Sequence, residues 1–368
     1  MDRLSLNPTT SAAHELNLAQ PFTGQPTGLW LLRFGRLSLL LDRRAWLASL
    51  LLLLATVVLV GLSLGSGTVK IAPLDALAAL FNQGETKNIF IVRDLRLTRV
   101  LAGGMAGAAL GMAGCLLQTL SRNRLANPDT IGIDNAATAF AVASVVGVST
   151  TLAPSGMALI GAITMLSLTF ALSGGAGTRG YRFLITGLGL GAICGAATNL
   201  MLARAPIDAA NDAFPWTIGS LNDRSGITVS LLAWGVVILL PLAAIVGKRL
   251  NLVRLPDAVA QSLGVRVNRL RFFTILLAGS LTGLAVAVAG PVGMIGLAAP
   301  ELGRRLAGPR TVPIVPSALA GACFTMLADL LGRTLFSPTE IPVGIVTALV
   351  GGPYLLWFLL RTPRGKQL

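Results

Sequence analysis

The chain has 368 residues, 54% of them hydrophobic and only 12% charged, with a mean hydropathy of +0.75 and a net charge of +14. A soluble fold of that composition would expose far more apolar surface than water tolerates, so the chain reads as an all-α polytopic membrane protein and not as a soluble enzyme. The surplus of base follows the loops between apolar runs, which argues for membrane topology and against nucleic-acid binding.

Residues 1–44 contain Pro8, Pro21, Pro26, several Ser and Thr, and the single histidine, His14. They read as a mobile cytoplasmic N-terminal tail that ends in a short interfacial stretch around Leu29 to Leu41. No cleavable signal peptide is expected, because the apolar run begins late and lacks a small-residue cleavage pattern. Ala45 to Gly65 is a charge-free run led by Asp42, Arg43 and Arg44, which holds its basic flank in the cytoplasm.

Further apolar runs follow at about 97–120, 133–149, 155–174, 183–203, 228–247, 272–291, 293–307, 315–333 and 343–360, the second and seventh of these being short for a full span. Ten spans with both termini inside place 21 of the 29 lysines and arginines in the cytoplasm, the long basic loop at 248–271 among them. Residues 45–361 are thus expected to form a ten-helix domain, with 362–368 as a short cytoplasmic tail.

Several absences narrow the chemistry. Cys115, Cys194 and Cys323 stand singly in apolar runs, with no histidine near them, so neither a zinc site nor a disulfide framework is indicated. The two Gly-Lys pairs are followed by Arg249 and Gln367, so no phosphate-binding GxxxxGK[ST] loop is present. Asp134, Glu301 and Asp329 are the few ionisable candidates inside apolar runs, fewer than an ion-coupled carrier would bury. Gly103, Gly107 and Gly111, and again Gly187, Gly191 and Gly195, recur every four residues and mark helix faces that pack closely.

The run Arg96-Leu97-Thr98-Arg99-Val100-Leu101, continuing through Gly107, Leu110 and Gly114 to Gln118 and Ser121-Arg122-Asn123, resembles a segment of ABC importer permeases for iron siderophores and vitamin B12, the FecCD or BtuC-like family. Gly290-Pro291-Val292-Gly293 through Pro300, Arg304 and Arg305, then Ala328-Asp329, Arg333 and Glu340-Ile341-Pro342-Val343-Gly344, extends the resemblance over about residues 90–361. Trp216-Thr217-Ile218-Gly219-Ser220-Leu221-Asn222 and Asp134-Asn135-Ala136-Ala137 are most similar to permeases for ferric enterobactin, a catecholate siderophore. Three departures stand out: Arg124 where the family has proline, Glu301 where it has histidine, and Gly308-Pro309-Arg310 in place of a Gly-x-Asp-His-Arg turn.

The resemblance implies a type II ABC importer permease fold in the inner membrane. It implies a second permease subunit, two ATP-binding subunits and a substrate-binding protein, with an intact ferric siderophore as cargo and a haem, vitamin B12 or other iron chelate as the alternative within the family. It implies no cofactor bound by this chain, ATP being used by the partner subunits, and no metal site or catalytic residue. More distant alternatives are an integral membrane enzyme, which would be expected to present clustered carboxylates or a His/Asp pair, and an ion-coupled carrier, for which the inward basic loop would have no ATPase to meet.

Residue roles carried by the resemblance put docking of the binding protein on Arg96, Arg99 and Arg333, whose guanidinium groups suit carboxylates. The cytoplasmic gate falls on Asn123, Leu125, Gly180 and Tyr181. Within the 248–271 loop, Pro256 at a first turn, Asp257 beside the positive helix end and Gly264 as a stop predict a helix of about eight residues. Its length and family position assign it to ATPase coupling, with Val259, Leu263 and Val265 as apolar contacts and Arg266 and Arg269 as a charged rim.

Overall fold

A computed structural model describes residues 29–34, 37–67, 69–147, 152–174, 180–335, 337 and 339–361. Residues 1–43 and 44–368 separate into two units. In the first, β1 (Leu29–Phe34) and β2 (Leu37–Asp42) pair antiparallel, from Leu29 opposite Asp42 to Phe34 opposite Leu37. The stretch read as interfacial is therefore a two-stranded hairpin, while residues 1–28 of the expected tail and residues 362–368 lie outside the described residues.

The second unit is helical. Among the described residues, ten helices occupy the ten apolar runs, and shorter ones fill the loops. In chain order they are α1 (Arg43–Gly65), α2 (Pro73–Leu80), α3 (Thr86–Phe90), α4 (Thr98–Ser121), α5 (Ile133–Val145), α6 (Pro154–Leu172) and α7 (Gly180–Arg204). The remainder are α8 (Ile207–Ile218), α9 (Gly226–Val253), α10 (Asp257–Ser262), α11 (Val267–Ala289), α12 (Ile295–Ala307), α13 (Ile314–Thr334) and α14 (Val343–Arg361). A π-helical turn at Ile91–Leu97 runs α3 into α4, and a 3₁₀ turn at Pro128–Ile131 leads into α5.

Among the described residues, seven of these helices are long and apolar enough to cross a membrane. α5 is apolar but has only 13 residues, and α12, also 13 residues, carries Glu301, Arg304 and Arg305. Both begin behind irregular backbone, the turn at 128–132 and the loop 290–294, and both are shielded by neighbouring helices. Non-helical backbone at membrane depth requires that protection from lipid.

α4 is the axis of the bundle, packed by α13, α11, α12 and α9. Its glycines let backbones touch: a Cβ on Gly107 would lie 2.2 Å from the Gly321 carbonyl oxygen of α13, and one on Gly114 only 1.9 Å from that of Gly296 in α12. The seam read on α7 divides. Gly187 and Gly191 pack against the Ile131–Gly132 turn, whereas a Cβ on Gly195 would meet nothing within 4 Å. α1, α7 and α9 leave most of their apolar surface outside the bundle, as helices facing lipid or another subunit do.

Candidate functional site

α4 runs from Arg99 at one end of the bundle to Ser121 at the other, about 35 Å at 1.5 Å per residue. Polar groups gather at both ends. At the Arg99 end, α1 finishes with no basic residue in its own last turn, which leaves carbonyls without intrahelical partners. Two arginines from elsewhere supply the donors. Arg96 donates to Leu64 O (2.6 Å) and to Val69 O, and Arg333 donates to Ser63 O (2.7 Å) and Ser66 O (3.0 Å).

That placement gives Arg96 and Arg333 a second, structural task beside the docking role expected of them. They are 7% and 6% exposed, their guanidinium groups bond carbonyls at and just past the end of α1, and Arg333 also faces Asp329 at 3.5 Å. Arg99 differs. Its Nε contacts Asp329 Oδ1 at 2.9 Å and its Nη1 contacts Glu340 Oε2 at 2.8 Å, and it lines an open cleft of about 420 Å³ with Trp216, Asn222, Arg224 and Pro342. The cleft is positioned by α8, whose exit is sewn between helix ends: Ser220 N donates to Ala289 O, and Gly344 N donates to Gly219 O. Arg224 stacks 4.0 Å over the Trp216 ring, and burial pushes its guanidinium down to about 10 against the opposing pull of Asp223.

At the opposite end, α10 is six residues long and not eight. Pro256 has ψ 144°, an extended value, and caps the helix from outside its first turn. The stop at Gly264 is as expected, with φ +83°. Gly264 N donates to Gln261 O and Val265 N to Ala260 O, the paired bonds of a Schellman turn. Val259 and Leu263, one turn apart, are 43% and 57% exposed, and Leu255 beside them is 42% exposed. Ala260 alone in the helix is buried, Val265 is half-buried, and Arg266 and Arg269 are exposed.

Asp257 is more than a helix-end charge. It sits between Arg122 (3.2 Å) and Arg271 (2.7 Å). Of the gate residues, Asn123 and Leu125 are exposed on the turn after α4, where Leu125 N donates to Asn123 Oδ1. Gly180 opens α7, and the side chain of Tyr181 lies outside the described residues.

Residues 53–361 match the FecCD transport family. The chain belongs to that family. The Fe(3+)-citrate import system permease protein YfmE of Bacillus subtilis is 38% identical, with 89% of this chain and 98% of that protein covered. The ferric enterobactin transport system permease protein FepG of Escherichia coli is 34% identical over 88% and 99%, and the hemin transport system permease protein HmuU of Yersinia pestis 35% over 83% and 93%. In fold, the chain resembles an inward-facing metal-chelate type ABC transporter, with TM-score 0.76 and 24% identity over 86% of this chain and 100% of the other. This FecCD protein is thus a multi-pass ABC importer permease of the iron-chelate class, a transport subunit and not itself an enzyme.

Two of its departures from the family pattern face one another. Glu301, 6% exposed, pairs with Arg305 (3.0 Å) and Arg304 (3.3 Å) on its own helix and stands 3.9 Å from Arg124. Arg304 also bonds Gln118 of α4. The helical pairs are visible as i,i+3 and i,i+4 spacings, but the Arg124 contact crosses 177 positions and has no local signature.

Proposed function

We propose that this permease carries an intact ferric catecholate siderophore of the enterobactin type across the cytoplasmic membrane, both termini inside. A second, related permease completes the path, two ATP-binding subunits dock at the Arg122 end and a substrate-binding protein at the Arg99 end. The observation that carries the reading is α10. A short helix with Val259 and Leu263 exposed, closed by a glycine at positive φ and braced by three ionic side chains, is a surface built to be seated in a partner. The chain has no nucleotide-binding loop of its own, so work must enter through such a contact. At the other end, Arg96, Arg99 and Arg333 are the docking candidates, and Arg99 borders the open cleft.

Catecholate selectivity is supported by the Trp216–Asn222 segment and by FepG among the relatives. Ferric citrate is the second reading, supported by the identity to YfmE. Among the described residues there is no cluster of three or more His, Cys, Asp and Glu that could hold a metal ion. The test is uptake by the reconstituted complex of a panel of labelled chelates: ferric enterobactin, ferric citrate and haem. Preferential uptake of the catecholate supports the proposal, and uptake of citrate or haem alone refutes it.

A further inference from the structure

The helix α4 ends in a Schellman turn with an unusual occupant. Arg122 N donates to Thr119 O and Asn123 N to Gln118 O, the same bond pair that closes α10, but the left-handed position is held by arginine at φ +52° and not by glycine. A side chain there is disfavoured, so something must hold it. The guanidinium supplies that hold. Its Nε and Nη2 donate to Val253 O, the last residue of α9, at 3.0 and 2.7 Å, and Nη2 also reaches Leu255 O and Asp257 Oδ1. The other carboxylate oxygen of Asp257 takes Arg271 Nη2 at 2.7 Å, which brings the start of α11 into the same joint.

We infer that Arg122 is the positioning residue that transmits movement of α10 to the core of the permease. The inference rests on the coupling role proposed for α10. α10 has little packing of its own, since Ala260 is its single buried residue, so side-chain bonds decide what moves with it. α4, by contrast, touches α12 and α13 backbone to backbone and shifts only with them. One side chain therefore ties α4 to the end of α9 through its fork, where a cation also meets the negative helix terminus, and to the partner-facing α10 through Asp257. Lysine keeps the charge but not the fork.

Three variants in the full complex test this. Arg122→Gly relieves the backbone at positive φ while deleting the guanidinium, so it isolates the side chain; Arg122→Lys keeps the charge, and Asp257→Asn removes one arm. In Arg122→Gly, the ATP-binding subunits should co-purify at wild-type amounts, because Val259, Leu263 and Gly264 are untouched, while ATP hydrolysed per chelate imported rises about fivefold or more. Arg122→Lys should fall between that value and wild type. A wild-type ratio in Arg122→Gly overturns the inference, and so does loss of the ATP-binding subunits, which would make Arg122 part of the docking surface. If Arg122→Gly does not accumulate, the same ratio in Asp257→Asn decides, a wild-type value overturning the inference. Failure of the underlying coupling role has a separate signature: wild-type assembly and transport in a Leu263→Glu, Gly264→Val double variant.

Discussion

The double variant Leu263→Glu, Gly264→Val bears most heavily on how energy enters this permease. Gly264 has φ +83° with no atom within 4 Å of a built Cβ, so its replacement by valine meets a conformational cost and no collision. For a non-glycine residue that cost is about 1–2 kcal/mol, more for a β-branched side chain, and it falls on the turn and not on the bundle. Leu263 is 57% exposed, so a carboxylate there is tolerated while the subunit stands alone. Seated in a partner, that exposed share of a leucine is worth about 1–2 kcal/mol of the roughly 1.5–3 available to full burial. The strain at Gly264 is carried by the free and the seated subunit alike, so the docking loss rests on Leu263 at about 1–2 kcal/mol for each site, roughly five- to thirtyfold in assembly. Co-purification of the ATP-binding subunits and reconstituted transport measure it. Normal insertion with both values lowered is expected; wild-type assembly together with wild-type transport would refute the assignment of α10.

Replacing Arg96 or Arg333 by methionine strands buried carbonyls at the end of α1, at about 1–3 kcal/mol for each orphaned group, and should lower thermal stability in detergent. Arg99→Gln should instead weaken capture of the loaded binding protein in a salt-dependent way, measured by titration of the two, and should also lower thermal stability because nearly buried Asp329 loses a charged partner at 2.9 Å. Gly114→Ala forces a Cβ to 1.9 Å from a backbone oxygen and should cost about 1–3 kcal/mol or more in a thermal melt, whereas Gly195→Ala should be neutral. In a double-mutant cycle on thermal stability, Arg124→Ala should cost at most about 1 kcal/mol, its side chain being 52% exposed, and Glu301→Ala about 3 kcal/mol because Arg304 loses a largely buried partner.

Apolar run length carried most of the architecture, because a membrane-crossing helix must be continuous and uncharged. The run at 45–65 and the helix at 43–65 differ by two residues at one end, and the two short runs became the two short helices α5 and α12. α8 was hidden because it lies outside the apolar pattern, with Asp208, Asp212 and Pro215 within it. The hairpin was missed for another reason: a leucine-rich stretch is compatible with either an interfacial segment or paired strands until register is known.

The candidate sites divide in the same way. Gly264 and Asp257 declared themselves through local chemistry, a helix stop and a helix start. The bonds of Arg96 and Arg333 were not legible, since the carbonyls they satisfy belong to or follow α1, far away in sequence. Arg122 is the clearest loss, for its partner Asp257 is 135 positions away and only folding brings them together.

The most direct test of the account is uptake of chelated iron by proteoliposomes containing the permease, its partner permease, the ATP-binding subunits and loaded binding protein. Uptake that requires ATP, persists when ion gradients are collapsed and disappears in the Leu263→Glu, Gly264→Val variant is the predicted result. Uptake driven by an ion gradient without ATP would contradict it.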